Sequence, residues 1–265
     1  MKMDLSPQAG FPLTFDPDLL LLESSGGITF RSSSRQVGEL HDVLLWPDAL
    51  PVEREAYRLY FPESIPDLAQ GLLDRYGLTY GPVLLPSLTV GQEFIKTHGH
   101  YHPLIPGAPH SYPEIYTQLY GRLYLLLQKR LSPDTDDLAD CAIVEMQQGF
   151  TITLPPGYSH ILINASDEPA LMAGLYGVRF KPDYTPIKRR RGQAYYLLSD
   201  ETGLRIEPNP NYPSAPPLRW LADLSGTPFE PPDPGRPVWT AFLANPAKYE
   251  FLTQPEAALR RFPVP

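Results

Sequence analysis

Four of the six histidines lie within thirteen consecutive positions, in the segment THGHYHPLIPGAPH that starts at residue 97. Residues two apart on a β-strand point to the same face, so His98, His100 and His102 would share one face unless the strand bends. Inside a barrel, such a face brings imidazole nitrogens together, and with a carboxylate these suit divalent Fe, Mn, Zn, Ni or Cu. The spacing therefore predicts a metal site. The alternative is that these histidines are only packed or hydrogen-bonded.

A carboxylate and a further histidine follow at regular spacing. Glu114 stands six intervening residues before Gly121, and Gly149 opens the segment GFTITLPPGYSHILIN, which contains His160. This segment matches the second cupin motif, G(x)5PxG(x)2H(x)3N, at every defined position. The first cupin motif, G(x)5HxH(x)3,4E(x)6G, is matched less fully, because Phe94 replaces its first glycine and eleven residues separate the second histidine from the glutamate.

The resemblance to cupins implies an all-β fold, a double-stranded β-helix or jelly-roll barrel, that holds one divalent metal ion. Iron, manganese, zinc and nickel are the candidate ions. The ligands that the resemblance implies are His100, His102, Glu114 and His160. Two positions of an octahedral ion would then remain for substrate or water. His98 and His110 lie outside the pattern and are expected beside the site or at the surface.

Three segments resemble the cupin-type glucose-6-phosphate isomerases of archaea and some bacteria: EFIKTHGHYH, PEIYTQLYGRLYLLLQ and MQQGFTITLPPGYSHILINASDEPALMAGLY. The likeness covers about residues 79–187. It implies the interconversion of glucose 6-phosphate and fructose 6-phosphate, through a cis-enediol or a hydride shift, with the metal as a Lewis acid. The family's candidate base for the proton moved between C1 and C2 matches Glu114.

The resemblance also assigns the residues around the sugar phosphate. Those implied to hold the phosphate or to line the pocket are Thr79, Thr97, Gly99, Tyr116, Tyr176 and Tyr184, with Tyr116 and Tyr176 assigned to catalysis beside Glu114. Neutral hydroxyl and amide donors would let an acidic protein bind a phosphate. Two positions depart from the family: Pro182 replaces a histidine, and PLIPGAPHSYP lengthens the loop before the glutamate.

Two other functions are compatible with these residues. An Fe-dependent cupin dioxygenase would use the same open coordination positions. A non-catalytic sugar-phosphate-binding cupin would keep the metal and lack turnover, a hypothesis that Pro182 and the longer loop motivate. Oxygen consumption would indicate the first, and binding without turnover the second.

The elements that must position the site are short strands. At least seven β-rich runs between residues 79 and 200, with no helix-length segment among them, predict an antiparallel barrel. Residues 1–78 are expected to form an arm on this barrel, with a helix over 64–76 that Ser64 caps and Gly77 ends.

Residues 201–265 are predicted to be a Pro-rich extension, because 14 of the 33 prolines lie from position 205 onward. Trp220 and Trp239 are expected to anchor this irregular segment on the barrel. A short helix is predicted near its end, where Thr253 and Glu256 have the spacing of a capping box.

Composition limits the remaining classes of function. A formal net charge of −8 opposes general nucleic-acid binding, and the basic run at residues 188–191 is expected to be a solvated loop. Cys141 is the single cysteine, which favours a reducing compartment. No signal peptide and no membrane span are expected, so the sequence predicts a cytoplasmic protein with a small-molecule sugar phosphate as its partner. The family resemblance further implies a homodimer.

Overall fold

The computed structural model describes residues 1–201 and 203–263, and their strands form four sheets. The strands are β1 (Met3–Asp4), β2 (Leu13–Asp16), β3 (Leu21–Ser24), β4 (Thr29–Gln36), β5 (Glu55–Ser64), β6 (Leu78–Leu85), β7 (Thr89–Val90), β8 (Glu93–Phe94), β9 (Glu114–Tyr120), β10 (Leu123–Arg130), β11 (Leu138–Met146), β12 (Thr151–Leu154), β13 (Tyr158–Ile163), β14 (Ala170–Gly177), β15 (Tyr195–Asp200), β16 (Gly203–Pro208) and β17 (Leu218–Trp220).

The helices are short. They are α1 (Ser6–Ala9), α2 (Asp67–Tyr76), α3 (Thr185–Arg189), α4 (Val238–Ala244) and α5 (Pro255–Arg261), with 3-10 helices at Val37–Val43 and Pro246–Leu252. Within the described ranges, none of these helices is long and apolar enough to cross a membrane.

Two sheets enclose the barrel interior, one in the order β13-β10-β11-β17 and the other in the order β12-β9-β14-β6-β5-β4. Their inner faces share one apolar cluster, to which Val83 and Met172 contribute from one sheet and Leu125 and Leu127 from the other. Alternate residues of each strand point inward, as the two-residue period of a strand requires. All pairs within these sheets are antiparallel except that of β11 with β17. The prediction of an all-β, antiparallel cupin barrel is therefore confirmed.

The N-terminal region extends the barrel as well as covering it. Strands β4 and β5 continue the larger sheet, since β5 pairs with β6 through Leu59 and Val83. The larger sheet therefore includes strands on both sides of residue 78, where the N-terminal arm was expected to end. The small sheet of β1, β2 and β3 covers its outer face, where Phe15, Tyr80 and Trp239 share a second apolar cluster.

The C-terminal extension is partly β, contrary to the expectation of an irregular segment, because β16 pairs with β15 and β17 with β11. Trp239 is 3% exposed and is a buried anchor, whereas Trp220 is 53% exposed, so its assignment as an anchor was wrong. The predicted capping box is also wrong. Helix α5 follows Gln254 without a side-chain cap, because the Thr253 hydroxyl donates to the Tyr76 carbonyl at 2.7 Å instead.

Helix α2 begins three residues later than predicted. Ser64 is the last residue of β5, and its hydroxyl donates to the Gly27 carbonyl at 3.0 Å, so it does not cap the helix. Pro66 precedes the first turn, and Gly77 ends the helix in the left-handed conformation, as predicted.

The basic run at residues 188–191 is largely exposed to solvent, as expected, although it is not a simple loop. It overlaps the end of α3, and Arg189 donates from Nε and Nη2 to Asp136 at 2.8 and 2.7 Å. Lys188 lies 3.4 Å from a carboxylate oxygen of Asp42. These ion pairs therefore hold α3 against two other parts of the chain, one at Asp136 and one at Asp42.

Candidate metal centre

The four predicted ligands meet inside the barrel. His100, His102, Glu114 and His160 each offer one ligand atom, and these atoms all lie within 4.8 Å of one another. Glu114 is the first residue of β9, and His160 is on β13 after the Pro-Pro-Gly turn. Because these strands belong to opposite sheets, closure of the barrel is what brings the carboxylate to the imidazoles.

The spacing of the ligand atoms fits a single ion. His100 Nε2 lies 3.0 Å from His102 Nε2, and Glu114 lies 3.2 Å from His102 Nε2 and 3.7 Å from His160 Nε2. Ligands about 2.1 Å from a common ion are roughly 3.0 to 3.4 Å apart in octahedral or tetrahedral geometry. Both ring nitrogens of His160 are buried and have no hydrogen-bond partner among the described residues. A divalent cation would satisfy its Nε2.

The backbone around Gly99 decides which histidines face the centre. His100 forms an isolated bridge with His160, and Gly99 has a φ of 77°, a value that strongly favours glycine. Residues 95–102 form only isolated bridges, so His100 and His102 lie on an irregular segment and not on the β-strand that the spacing predicted. As a result, His98 is separated from the ligand set, and its ring lies 4.8 Å from the ring of Tyr184.

The Tyr112 carbonyl fixes the tautomer of His102. It lies 2.7 Å from His102 Nδ1, and because a carbonyl can only accept, Nδ1 carries the proton. The lone pair on Nε2 is then directed at the other three ligands. A hydrogen bond to the far ring nitrogen commonly orients a metal-binding histidine in this way. Phe180 also packs on this imidazole, with the two ring centres 4.4 Å apart.

A buried ion pair holds the segment that precedes the ligands. Lys96 is 2% exposed and donates to the Val43 carbonyl at 2.6 Å and to the Glu93 carboxylate. Glu93 also accepts from the Leu45 amide at 2.8 Å. Sequence analysis did not identify this pair, because nothing local in the sequence distinguishes it from two exposed charges.

Burial sets the charge state of the ligands. Desolvation lowers the pKa of His100 and of His160 well below the ordinary histidine value, and nearby histidines lower both further. Desolvation likewise raises the pKa of Glu114, although His102 and a hydrogen bond with Tyr116 act in the opposite direction. The two imidazoles are therefore neutral near pH 7, which is the state that coordinates a metal.

Tyr116 and Tyr176 lie close enough to the Glu114 carboxylate to feel its charge. Burial, and then the charge of Glu114, raises the pKa of each phenol, so both are neutral donors. The ring centre of Tyr116 lies 5.5 Å from that of His160. Thr79 is paired with Tyr176 in the sheet and therefore faces the same interior.

The remaining predicted residues lie on one side of the centre. Thr97 Oγ1 accepts from the Leu162 amide at 3.1 Å, which ties it to β13 and leaves its hydroxyl hydrogen free to donate. Tyr184 is 38% exposed, with its ring centre 5.4 Å from that of His100. His98 Nε2 is buried and has no partner among the residues described.

Sequence analysis did not identify two further residues near Tyr184. Tyr57 forms a hydrogen bond with the His98 backbone, and burial, followed by the charge interaction with Tyr184, raises its pKa to about 12. Arg35 is paired with Tyr57 between β4 and β5, and its charge partly offsets the rise that burial causes in the pKa of Tyr184. In the sequence, these residues alternate with outward-facing ones, which indicates strands. The sequence does not show that these strands join the barrel sheet.

Comparison with known proteins gives one family. The sequence profile of the glucose-6-phosphate isomerase (GPI) family matches residues 43–214, which is 172 of the 265 residues. Glucose-6-phosphate isomerase of Pyrococcus furiosus is 27% identical over 186 residues, which cover 69% of this chain and 86% of the relative. That of Thermococcus litoralis is 29% identical over 135 residues, covering 51% and 64%. The chain thus spans just under two thirds of the Thermococcus litoralis relative.

Solved structures with a similar arrangement of strands include recombinant oxalate oxidase in complex with glycolate. Its TM-score is 0.31 at 15% identity, with 59% of this chain and 52% of that chain covered.

Proposed function

The chain belongs to the glucose-6-phosphate isomerase family, and we propose that it interconverts glucose 6-phosphate and fructose 6-phosphate. The observation that carries this proposal is the convergence of His100, His102, Glu114 and His160 at one buried point. These four residues would hold one divalent ion, with iron, manganese, zinc or nickel as candidates. When bound, the ion would supply a Lewis acid for the oxygens at C1 and C2.

Glu114 would move the proton between the two carbons. Its carboxylate is 4% exposed, and contact with the ion would hold it within reach of the proton that moves between C1 and C2. Tyr116 and Tyr176 remain protonated beside it and would donate hydrogen bonds to oxygens of the substrate.

The phosphate would lie on the side of Thr97 and Gly99, with Thr79 facing the same interior. Arg35 would add a positive charge there, which supplements the neutral donors expected from the sequence. His98 has its Nδ1 3.1 Å from the Gly99 carbonyl, so Nδ1 donates and Nε2 is an acceptor. His98 Nε2 would accept a hydrogen bond from a sugar hydroxyl, in a pocket where Pro182 replaces the family's histidine.

Turnover after metal exchange tests this proposal. The protein is stripped with a chelator, and conversion of fructose 6-phosphate is measured after addition of Fe, Mn, Zn or Ni salts. We expect activity with at least one metal, and its loss in Glu114→Gln, which keeps the size of the side chain but cannot accept the proton. Metal content is measured in both proteins, so that loss of the ion is distinguished from loss of the base.

Three results would reject the proposal. Absence of turnover with every metal, together with tight binding of the sugar phosphate in calorimetry, would indicate the non-catalytic cupin. Consumption of oxygen would indicate the dioxygenase. Full activity in Glu114→Gln would remove this residue from the proton transfer. Cytoplasmic location and homodimer formation stay predictions, the latter to be measured by sedimentation.

A further inference from the structure

A cavity of about 720 Å³ is lined in part by His102 and Asp183, and Tyr184 is not among its lining residues. The backbones of Tyr101 and Asp183 pair at its wall, with N···O distances of 3.0 and 2.9 Å, and the chain then continues to Tyr184 in the candidate substrate pocket. His102 is the one proposed metal ligand among the lining residues described. The cavity therefore adjoins the metal centre at His102 and shares none of the threonines and tyrosines assigned to the sugar phosphate.

The cavity concentrates positive charge in an acidic protein. Lys129, Arg130 and Arg261 line it, and among the described residues none of the three has an acidic side chain within 4.0 Å. Asp183 is the single acidic residue of the lining. Arg261 donates from Nη2 to the Glu230 carbonyl, and the three cations together face one carboxylate in the lining, so the local field attracts anions despite the overall charge of −8.

Buried polar atoms without partners also lie in the lining. Arg261 Nε and His110 Nε2 are buried and lack hydrogen-bond partners in the described part of the chain. Ser111 Oγ accepts from the Gly157 amide at 2.7 Å, which leaves its hydroxyl hydrogen free. Buried polar groups normally have partners, so several unsatisfied ones at one cavity favour a polar occupant.

The rest of the wall is apolar. Phe229 and Phe262 line the cavity with Tyr158 and seven prolines of the surrounding loops. A cavity of this size, apolar with a few convergent charges, has the character of a small-molecule site. An inorganic ion alone would leave most of these walls without contacts.

Five of the 22 lining residues belong to segments outside the family match, which ends at residue 214. These segments contribute Pro228, Phe229 and the residues from Arg261 to Pro263. The lengthened loop before Glu114 contributes a further wall, including His110. The cavity is thus formed jointly by the barrel and by this chain's additions to it.

We propose that this cavity binds a nucleotide or a similarly built phosphate ester, separately from the isomerase substrate. Lys129, Arg130 and Arg261 hold the phosphate, and the aromatic and proline walls contact the ring. Lys129 is placed for this by the Pro-Pro-Gly turn, since a Cβ added at Gly157 would lie 3.4 Å from its Cε.

Calorimetry with AMP as the probe tests the site on the full chain, with saturating fructose 6-phosphate present to fill the substrate pocket. We expect AMP to bind more tightly than adenosine or inorganic phosphate. The double variant Lys129→Gln/Arg130→Gln should weaken AMP binding by about tenfold or more, because each cation contributes a charged hydrogen bond. Arg260→Gln, an exposed cation on the same helix as Arg261 but outside the lining, should leave it unchanged.

Four outcomes would overturn the proposal. They are no heat of binding at millimolar AMP, adenosine binding as tightly as AMP, phosphate binding as tightly as AMP, and displacement of AMP by fructose 6-phosphate. Arg130 also stacks on Tyr101, 4.3 Å from the ring centre, so its loss can disturb folding. The single variant Lys129→Gln changes an exposed side chain only, and unchanged AMP affinity in this variant would equally refute the site.

Discussion

Replacement of Gly99 by alanine tests whether the bend between the histidines is required. Gly99 has a φ of 77°, and a Cβ added there would lie 2.4 Å from Cγ2 of Ile161. Ordinary van der Waals contact begins at 3.4 Å, so the two groups must separate by 3.4 − 2.4 = 1.0 Å. Ile161 is 2% exposed and β-branched, which leaves it little freedom to move.

Two effects set the size of the change. A non-glycine residue in the left-handed region costs about 1–2 kcal/mol. Overpacking in a buried site typically adds about 1–3 kcal/mol. We therefore expect Gly99→Ala to lower the free energy of unfolding by about 2–5 kcal/mol. Because His100 and His160 flank the contact, the separation should also weaken metal binding by roughly 10- to 100-fold.

The matched control is Gly107→Ala. Gly107 has a φ of 80°, but nothing lies within 4 Å of a Cβ added there, so only the backbone strain of about 1–2 kcal/mol applies. Urea unfolding of the chelated proteins, followed by fluorescence, gives both free energies without a contribution from metal. Metal affinity is then measured by titration, and Gly107→Ala should retain it.

The double variant Gly99→Ala/Ile161→Ala completes the comparison. Ile161→Ala removes Cγ2 together with Cγ1 and Cδ1 and so relieves the contact, and the two changes should be less than additive by about 1–3 kcal/mol. Equal losses of stability in Gly99→Ala and Gly107→Ala, or strict additivity in the double variant, would refute the contact as the cause.

Three further predictions concern the centre and its supports. His100→Ala/His160→Ala should lose the bound divalent ion, as measured by elemental analysis after reconstitution, and full metal content would contradict the ligand assignment. Arg35→Gln should raise KM for fructose 6-phosphate with little change in kcat, whereas Arg31→Gln, a nearby cation on the same strand, should not; an unchanged KM in both would remove Arg35 from phosphate binding. The hydrogen bonds from Arg189 hold the pKa of Asp136 below its usual value, so this carboxylate stabilises the fold above about pH 4 and loses that effect as the pH falls. Asp136→Asn should therefore lower stability to urea at pH 7 and have less effect below about pH 4, and an effect that is independent of pH would exclude the ion pair as its source.

The ligand set could be predicted from the sequence because each ligand belongs to a local pattern. The Pro-Pro-Gly turn places His160 a fixed number of residues into β13, and Glu114 opens the strand that pairs with β12. Such short-range geometry is repeated wherever the motif occurs. The ligands then meet at one point when the barrel closes, and the alternation of inward- and outward-facing residues along the strands predicts that closure.

The rest depends on contacts between residues distant in sequence. Arg35 and Tyr57 reach the site because β4 and β5 join the sheet through β6, and no spacing in the sequence encodes that order. Thr253 has the spacing of a cap, but its hydroxyl finds the Tyr76 carbonyl, 177 positions away. Trp220 has the size of an anchor, yet it lies on the edge strand β17, where solvent reaches it. Propensity alone does not decide between such local and long-range partners.

The cluster on the outer face of the larger sheet has a consequence for synthesis of the protein. It joins Phe11 to Trp239, whose ring centres are 5.6 Å apart, so a segment translated early is completed by one translated more than two hundred residues later. At ribosomal rates of about 5–20 residues per second, the first segment waits roughly 10–45 s for its partner. During that interval the barrel can close around its metal ligands while one apolar face is still bare. Nascent chains are therefore expected to be most vulnerable to aggregation and most dependent on chaperones after the barrel has formed, and deletion of residues 238–252 should prolong that state.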